Sequence, residues 1–172
     1  MQRYDGASCP LDLPPVLGPQ LQALAQSLGA TLFELLLTAY VVLLYRFTGQ
    51  DDLLIGVPSA GRSRPEFGPI VGYFVNPFVL RATLDTGMTF RQLLAKVSER
   101  ARQAVTHAEY PFPLLVQRLQ PERSPDRSPI FDVSMNYHTR RSASGAAGAD
   151  ALEAAQMIEM PQADGKFDLT LT

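Results

Sequence analysis

The sequence is poor in the residues that most often carry catalytic or metal chemistry. Its 172 residues include one cysteine, Cys9, two histidines, His107 and His138, and no tryptophan. A single cysteine excludes an internal disulfide and fits a reducing cytoplasm, where we expect the protein to reside. The histidines are too far apart in the chain to form a usual ligand spacing. The sequence therefore predicts neither a disulfide scaffold nor a metal centre.

An excess of positive charge is also missing. Charged residues make up 19% of the chain, and 15 basic residues against 17 acidic ones give a formal charge of −2. Nucleic-acid-binding domains usually have a basic excess, so we expect no nucleic-acid partner. Apolar residues reach 46%, which is typical of a globular chain with a core.

No apolar run has the length of a membrane span. Such a span needs roughly 20 apolar residues, whereas Glu34 and Arg46 bracket a shorter run. The first five residues are polar, and no apolar stretch follows them, so the pattern of a signal peptide is missing. We therefore expect no membrane association.

Motifs of common enzyme active sites are absent as well. Gly145 and Gly148 precede no phosphate-loop pattern, and the sequence contains no Gly-x-Ser-x-Gly elbow. His107 has no cysteine, serine or carboxylate at a triad spacing, and its position at a predicted helix C-terminus has a structural explanation in the helix dipole. The chain by itself therefore shows no catalytic residues.

The first fifty residues predict an extended leader and two helices. The leader covers residues 1–14, and the first helix follows it and stops at Gly29. The second helix begins with a capping box made by Thr31 and Glu34, and it ends at Gly49. Because this helix is apolar almost all round, we expect it to be buried on most sides.

Two further helices are predicted in the middle of the chain. The third starts at a second capping box, Thr89 with Gln92, and ends at His107. Its outer face is basic, which we interpret as a solvated surface. The fourth is short, with Pro113 in its first turn and Gln120 at its end.

Two strands are predicted between the second and third helices. The first, residues 53–57, is short and apolar, and the second, residues 72–84, alternates between two faces. Pro77 cannot donate to a ladder, so this point should be a sheet edge or a bulge. Asn76 lies on the apolar face of the second strand and must find partners or border a polar cavity.

A later strand, residues 130–138, has two unequal faces. The apolar face carries Phe131, Val133, Met135 and Tyr137. The polar face carries Asp132, Ser134, Asn136 and His138. The polar face either meets water, as in many antiparallel sheets, or lines a wet cleft, and both interpretations stay open. Beyond it the sequence predicts a flexible loop at 139–150, a weak strand at 151–160 and a better strand at 165–172.

Four motifs in this order carry a resemblance to a known family. They are IGVPSAGR from Ile55, VGYFVNPFVLR from Val71, HAEYPF from His107 and PERSPDRSPIFDV from Pro121. Together they resemble the second half of the condensation domain of non-ribosomal peptide synthetases. The family's catalytic His-His-x-x-x-Asp-Gly motif belongs to the first half and does not occur in this sequence.

The resemblance implies an α/β fold (an α+β sandwich) like that of chloramphenicol acetyltransferase. Residues 1–172 would form a single C-terminal lobe, a partial condensation domain, with a mixed β-sheet and helices packed on one face. In the family two lobes form a V. A donor thioester is joined to an acceptor amine in the tunnel between them, and both reactants arrive on the phosphopantetheine arms of carrier domains. No cofactor is expected to bind the chain directly.

The resemblance also implies roles for particular residues. Arg62 is expected to pair with the aspartate of the absent motif and to support its loop. Four polar residues are candidates for lining the tunnel, namely Asn76, Ser134, Asn136 and His138, with a structural role favoured for Asn76. One loop departs from the family pattern Arg-Asp-x-Ser-Arg-x-Pro, and it contains Arg123, Asp126 and Arg127. Ser124 stands where aspartate is expected, and we interpret the segment as a structural loop pinned by charged hydrogen bonds.

The resulting functional prediction is a fragment of a condensation domain that is inactive alone. Its expected partners are the missing N-terminal lobe, donor and acceptor carrier domains and an adjacent adenylation domain. Apolar lobe faces also predict self-association. Two alternatives stay open: a stand-alone interaction module that binds a carrier domain, and a fragment of an epimerisation or cyclisation domain of the same fold.

Overall fold

The structure is a computed structural model that describes residues 5–122, 124, 127–138, 165 and 167–172. In these ranges the chain forms four α-helices, one short 3-10 helix (Pro65–Phe67) and a four-stranded sheet. The helices are α1 (Leu17–Ser27), α2 (Leu32–Thr48), α3 (Phe90–Thr106) and α4 (Phe112–Leu119). The strands are β1 (Asp52–Ser59), β2 (Asn76–Thr83), β3 (Val133–Met135) and β4 (Leu169–Leu171).

The helix boundaries follow local capping chemistry. The Thr31 hydroxyl accepts a hydrogen bond from the Glu34 amide at 3.2 Å, and the Glu34 carboxylate accepts one from the Thr31 amide at 2.7 Å. Thr89 and Gln92 make the same pair of bonds at the start of α3. Gly49 ends α2 with a left-handed φ of 71°, which costs glycine little because it has no Cβ. The predicted starts of α2 and α3 and the predicted end of α2 are therefore confirmed.

The sheet is mixed, with the strand order β2-β1-β3-β4. β1 and β2 pair antiparallel, whereas β3 pairs parallel with both β1 and β4. Pro77 pairs with Pro58 in regular register, and β2 is an edge strand among the described strands. This placement is the one expected for a proline that cannot donate to a ladder.

The main core lies on one face of this sheet, beneath α2 and α3. Leu37 and Val41 of α2 and Val97 of α3 are fully buried against Ile55 of β1 and Leu80 of β2. Helix α1 packs on the outer side of the helix layer through a second, smaller apolar cluster, made of Ala25, Leu35 and Leu94. The expected mixed sheet with helices is thus the observed architecture, with α2 and α3 packed on one face.

An aromatic cluster covers part of the opposite face. The ring of Phe131 lies directly over Gly56, so close that a Cβ on Gly56 would clash with it. Phe112 and Phe167 flank Phe131, with ring centroids 5.5 and 5.1 Å away. The predicted face for Phe131 is wrong, because β3 begins only at Val133 and its alternation does not extend back to position 131.

Three predicted strands are longer than the observed ones. Residues 72–75 are not part of β2, because the chain there belongs to a loop that closes on itself. Residues 130–132 and 136–138 flank β3 without joining it. The last strand was predicted over 165–172, whereas β4 covers only Leu169–Leu171. The predicted loop at 139–150 and the weak strand at 151–160 lie outside the described residues.

No single helix in the described part of the chain is long and apolar enough to cross a membrane. α1 and α2 would reach that length and composition only together, and they are bent by 99° where they meet.

Candidate functional site

The candidate site lies at one end of the sheet. The parallel strands β1 and β3 finish there, and the antiparallel strand β2 begins there. Three of the predicted site residues therefore come to the same end: Arg62 just after β1, Asn76 as the first residue of β2, and Asn136 just after β3. In open α/β sheets ligands bind in the crevice beyond the carboxyl ends of the strands.

The segment after β1 is a closed loop of residues 61–75, called here the Arg62 loop. Gly61 opens it with a φ of 65°, and a Cβ at this position would clash with the Phe74 carbonyl group. Any other residue would meet backbone here, so the loop ends approach this closely only because position 61 is glycine.

Arg62 holds this loop together from within. Its guanidinium donates hydrogen bonds to the carbonyl oxygens of Phe67, Gly68 and Gly72, the last two at 3.4 and 3.3 Å. It also stacks 4.5 Å above the Phe74 ring, an attractive cation–π arrangement. The side chain has no acidic partner within the described residues, and its hydrogen bonds lie at the exposed surface. Its predicted pairing with an aspartate of another lobe is therefore still a prediction.

The Arg62 loop presents apolar side chains to solvent. Val71 is 100% exposed and Tyr73 is 87% exposed, and Ile70 and Val75 are each more than 40% exposed. Several exposed apolar side chains on one loop are a frequent mark of an interaction site. The loop thus combines an internally fixed backbone, an accessible guanidinium and an apolar surface.

The side-chain amide of Asn76 forms its hydrogen bonds with backbone groups. Its amide nitrogen donates to the carbonyl oxygens of Ala108 and Tyr110 at 2.8 and 2.9 Å, and its amide oxygen accepts from the Phe112 N–H at 3.0 Å. These three bonds tie the start of β2 to the connection between α3 and α4. Asn76 therefore has a structural task, and whether it also borders a tunnel stays a prediction.

The polar side of β3 is not uniformly open to water. Ser134 is only 6% exposed, and its hydroxyl shares a 2.9 Å hydrogen bond with the hydroxyl of Thr170 in β4. Asn136 is half-buried, its backbone N–H donating to the Leu171 carbonyl oxygen at 2.8 Å, and His138 is exposed.

The predicted charged loop is described only in part. Arg123 and Asp126 lie outside the described residues. Arg127 is exposed, and its backbone N–H donates to the Ser124 carbonyl oxygen at 3.4 Å. The predicted pinning of this loop by charged hydrogen bonds therefore stays a prediction.

Sequence reasoning missed two features of this sheet. It did not pair Ser134 with Thr170, because a parallel pairing of β3 with β4 joins distant parts of the chain. It also did not predict a cross-strand ion pair, in which the Arg81 guanidinium donates hydrogen bonds of 2.7 and 2.9 Å to the Asp52 carboxylate. These hydrogen bonds hold the pKa of Asp52 below its usual value. The available signal was a pair of opposite charges placed diagonally across a predicted pair of strands.

The groups at this end of the sheet are hydrogen-bond donors and acceptors. No group of three or more His, Cys, Asp or Glu side chains among the described residues could hold a metal ion. The polar groups at the end of the sheet include the Arg62 guanidinium and the side chains of Asn136 and His138, which can hydrogen-bond a ligand or a partner.

Comparison with known proteins identifies the family. A sequence model described as condensation domain matches residues 1–172, which is the whole chain. The chain belongs to the condensation-domain family. It is 40% identical over 145 residues to tyrocidine synthase 3 of Brevibacillus parabrevis, and this match covers 84% of the chain and 2% of that protein.

Solved condensation domains share the fold. The chain superposes with a TM-score of 0.78 and 28% identity on a holo four-domain nonribosomal peptide synthetase bound to AMP and glycine, covering 84% of this chain and 11% of that one. The first condensation domain of the CDA synthetase shares the fold with a TM-score of 0.66 and 23% identity, over 80% of this chain and 30% of that chain. The expected chloramphenicol acetyltransferase-like fold is confirmed. The chain spans only a small part of the length of each of these relatives.

Proposed function

We propose that this chain supplies one lobe of a condensation domain that forms an amide bond between two carrier-bound substrates. The family match over residues 1–172 supports the reaction class. The observation that carries the proposal is the Arg62 loop, which sets an accessible guanidinium beside the exposed side chains of Val71 and Tyr73. Such a surface suits contact with a second lobe that provides an acidic side chain and apolar contacts.

The proposed reaction transfers an acyl or peptidyl group. The acceptor's amine nitrogen attacks the carbonyl carbon of the donor thioester, a C–N bond forms and the C–S bond breaks. The amine proton passes to the departing thiolate of the donor's phosphopantetheine arm, so that atoms and charge balance. Holding two tethered reactants in line can supply roughly 7–11 kcal/mol of the barrier reduction.

In this proposal the chain shapes half of the tunnel and supports the catalytic loop of the other lobe. Arg62 pairs with the aspartate of the His-His-x-x-x-Asp-Gly motif, while Asn136 and His138 face the tunnel just beyond β3, and the buried Ser134 hydroxyl holds β3 to β4 through Thr170. The two histidines of this sequence, at 107 and 138, do not form that motif, so the chain without its partner lobe is inactive.

The proposed partners follow from the same reaction. They are the complementary N-terminal lobe, a donor and an acceptor carrier domain and a neighbouring adenylation domain. When no complementary lobe is present, the exposed apolar side chains of the Arg62 loop favour self-association of this chain.

Amide formation tests the proposal directly. The purified chain is mixed with donor and acceptor carriers that hold aminoacyl thioesters, with and without a condensation-domain lobe that contains the His-His-x-x-x-Asp-Gly motif, and the carriers are analysed by mass spectrometry. We expect an amide product only with both lobes, and less of it with Arg62→Ala. Arg91→Ala, which removes an exposed charge on α3, is the control and should leave the yield unchanged.

Two results would contradict the proposal. Product formed by this chain without the complementary lobe would refute its inactivity alone. Lobes that bind each other yet yield no amide with any pair of loaded carriers would refute the reaction.

A further inference from the structure

A groove lies beside the start of β2. It has a volume of about 490 Å³ and lies between the start of β2, the end of α3 and helix α4. Its apolar lining consists of Pro77, Phe78, Val79, Ala104, Leu115 and Leu119. His107, Tyr110 and Arg118 are its polar lining. We call it the edge groove.

The backbone of β2 has free hydrogen-bonding groups along this groove. Pro58 pairs with Pro77, and neither has an N–H, so this pair cannot exchange ladder bonds. Hydrogen-bonded and non-hydrogen-bonded pairs alternate along an antiparallel ladder. Phe78 and Leu80 therefore bond to β1, whereas the N–H and C=O groups of Val79 and Arg81 point outward. No other bond to these outward groups is found in the described part of the chain.

The polar lining of the edge groove has one chemical character. Arg118 is a cation, and His107 and Tyr110 can donate hydrogen bonds. Their side chains make no hydrogen bond or ion pair within the described residues. No carboxylate is among the described residues that line the groove, although the chain as a whole is acidic. The groove is therefore complementary to an acidic group on an otherwise apolar ligand.

We propose that the edge groove binds an extended peptide segment, which adds to β2 as a further strand and places an acidic side chain beside Arg118 and His107. Strand addition to an exposed sheet edge satisfies unpaired main-chain groups and uses neighbouring pockets for alternate side chains. The outward groups of Val79 and Arg81 select an extended main chain, and the apolar lining selects alternating aliphatic side chains. This partner site goes beyond the tunnel half proposed above.

The clamp made by Asn76 gives the groove its shape. Its three hydrogen bonds fix residues 108–112 against the start of β2, so the entrance to α4 stands at a set distance from the edge strand. A groove held open in this way needs little reordering when a ligand binds, which favours affinity.

The test uses the whole 172-residue chain and a defined probe. The probe is a fluorescein-labelled heptapeptide of alternating valine and threonine with an aspartate at each end. Binding is followed by anisotropy, and backbone amide shifts are followed by NMR. We expect saturable binding, with the largest shifts at Val79 and Arg81. Arg118→Ala should weaken it about two- to fivefold, as loss of an exposed ion pair does, and Arg91→Ala should not.

A second pair of probes separates main-chain from side-chain recognition. The same peptide methylated on every backbone nitrogen has no N–H to donate to β2, so it should lose most of its binding, and a lysine-for-aspartate peptide should bind more weakly. Val79→Pro removes an outward N–H without removing a ladder bond to β1, and it is the matching change on the protein.

Several outcomes would overturn the proposal: no saturable binding, equal binding of the methylated peptide, or amide shifts confined to other surfaces. A dimer formed through the β2 edges of two chains, seen by ultracentrifugation with shifts at Val79 before peptide is added, would assign the groove to self-association instead. None of these outcomes depends on amide formation, so the condensation proposal stands or falls separately.

Discussion

At the scale of single residues, Asn76 shows why one amide can be irreplaceable. Its side chain donates twice and accepts once, and all three partners are backbone groups of residues 108–112. Aspartate has the same shape but cannot donate, and its charge would face two carbonyl oxygens. We expect Asn76→Asp to lower the free energy of unfolding by about 2 kcal/mol, as measured by urea denaturation.

A matched substitution provides the control for this prediction. Asn136→Asp makes the same chemical change at a residue whose side chain has no such bonds within the described residues, so its effect should stay within about 0.5 kcal/mol. Equal losses of unfolding free energy in the two variants would show that the three Asn76 hydrogen bonds do not account for the loss.

Tyr40 makes the stability of the folded state depend on pH. It is 2% exposed, its hydroxyl donates to the Leu169 carbonyl oxygen at 3.2 Å, and burial raises its pKa from 10.0 to about 12. The folded state therefore holds the phenol proton more tightly than the unfolded state. The resulting stability is fully present below pH 10 and is lost as the pH rises towards about 12.

Denaturation at a series of alkaline pH values checks this sign. Above about pH 10 the wild-type protein should lose stability more steeply than Tyr40→Phe, which has no proton to release. Tyr73→Phe, which removes the same hydroxyl group from a side chain that is 87% exposed, is the control. A Tyr40→Phe variant with the wild-type slope would contradict the account.

At the scale of elements, the contact between β1 and the aromatic cluster depends on a missing side chain. Gly56 leaves the space that the Phe131 ring fills, between Phe112 and Phe167. A methyl group there must displace the ring. We expect Gly56→Ala to cost about 1–3 kcal/mol of stability by overpacking, measured by chemical denaturation.

The cause of that loss can be isolated by a double-mutant cycle. If the methyl group and the ring compete for one space, Gly56→Ala should cost much less in a Phe131→Leu background. Gly87→Ala, at a turn where a Cβ would meet nothing within 4 Å, should change little. Additive effects of the two core changes would disprove the competition.

The sequence predicts some elements better than others. Elements set by neighbouring residues are predictable, and elements set by residues distant in the chain are not. The starts of α2 and α3 are predictable because a Thr and a Glu or Gln three residues later cap each helix locally. The strand predicted at 72–84 is too long because Arg62, ten residues before Gly72, binds its carbonyl and keeps residues 72–75 in a loop. The parallel pairing of β3 with β1 depends on contacts between distant segments, which no local pattern encodes.

The candidate site is predictable to a similar degree. An amide on an apolar face requires partners, and Asn76 has three. The carbonyl oxygens that surround Arg62 could not be foreseen, because any backbone can supply them and only the folded loop brings three to one guanidinium.

At the scale of the whole molecule, the central claim is that the Arg62 loop is the face on which a second condensation lobe docks. Its exposed apolar side chains and accessible guanidinium are unused within the described part of the chain, apart from the contacts that hold the loop itself. A lobe that buries this surface must slow exchange of the amides beneath it.

Hydrogen exchange read by mass spectrometry, with and without a lobe that contains the His-His-x-x-x-Asp-Gly motif, tests this most directly. We expect protection concentrated in residues 61–75, reduced by Arg62→Ala and kept by Arg91→Ala. Binding of that lobe with no added protection in residues 61–75, or with protection confined to the helix face of the sheet, would contradict it.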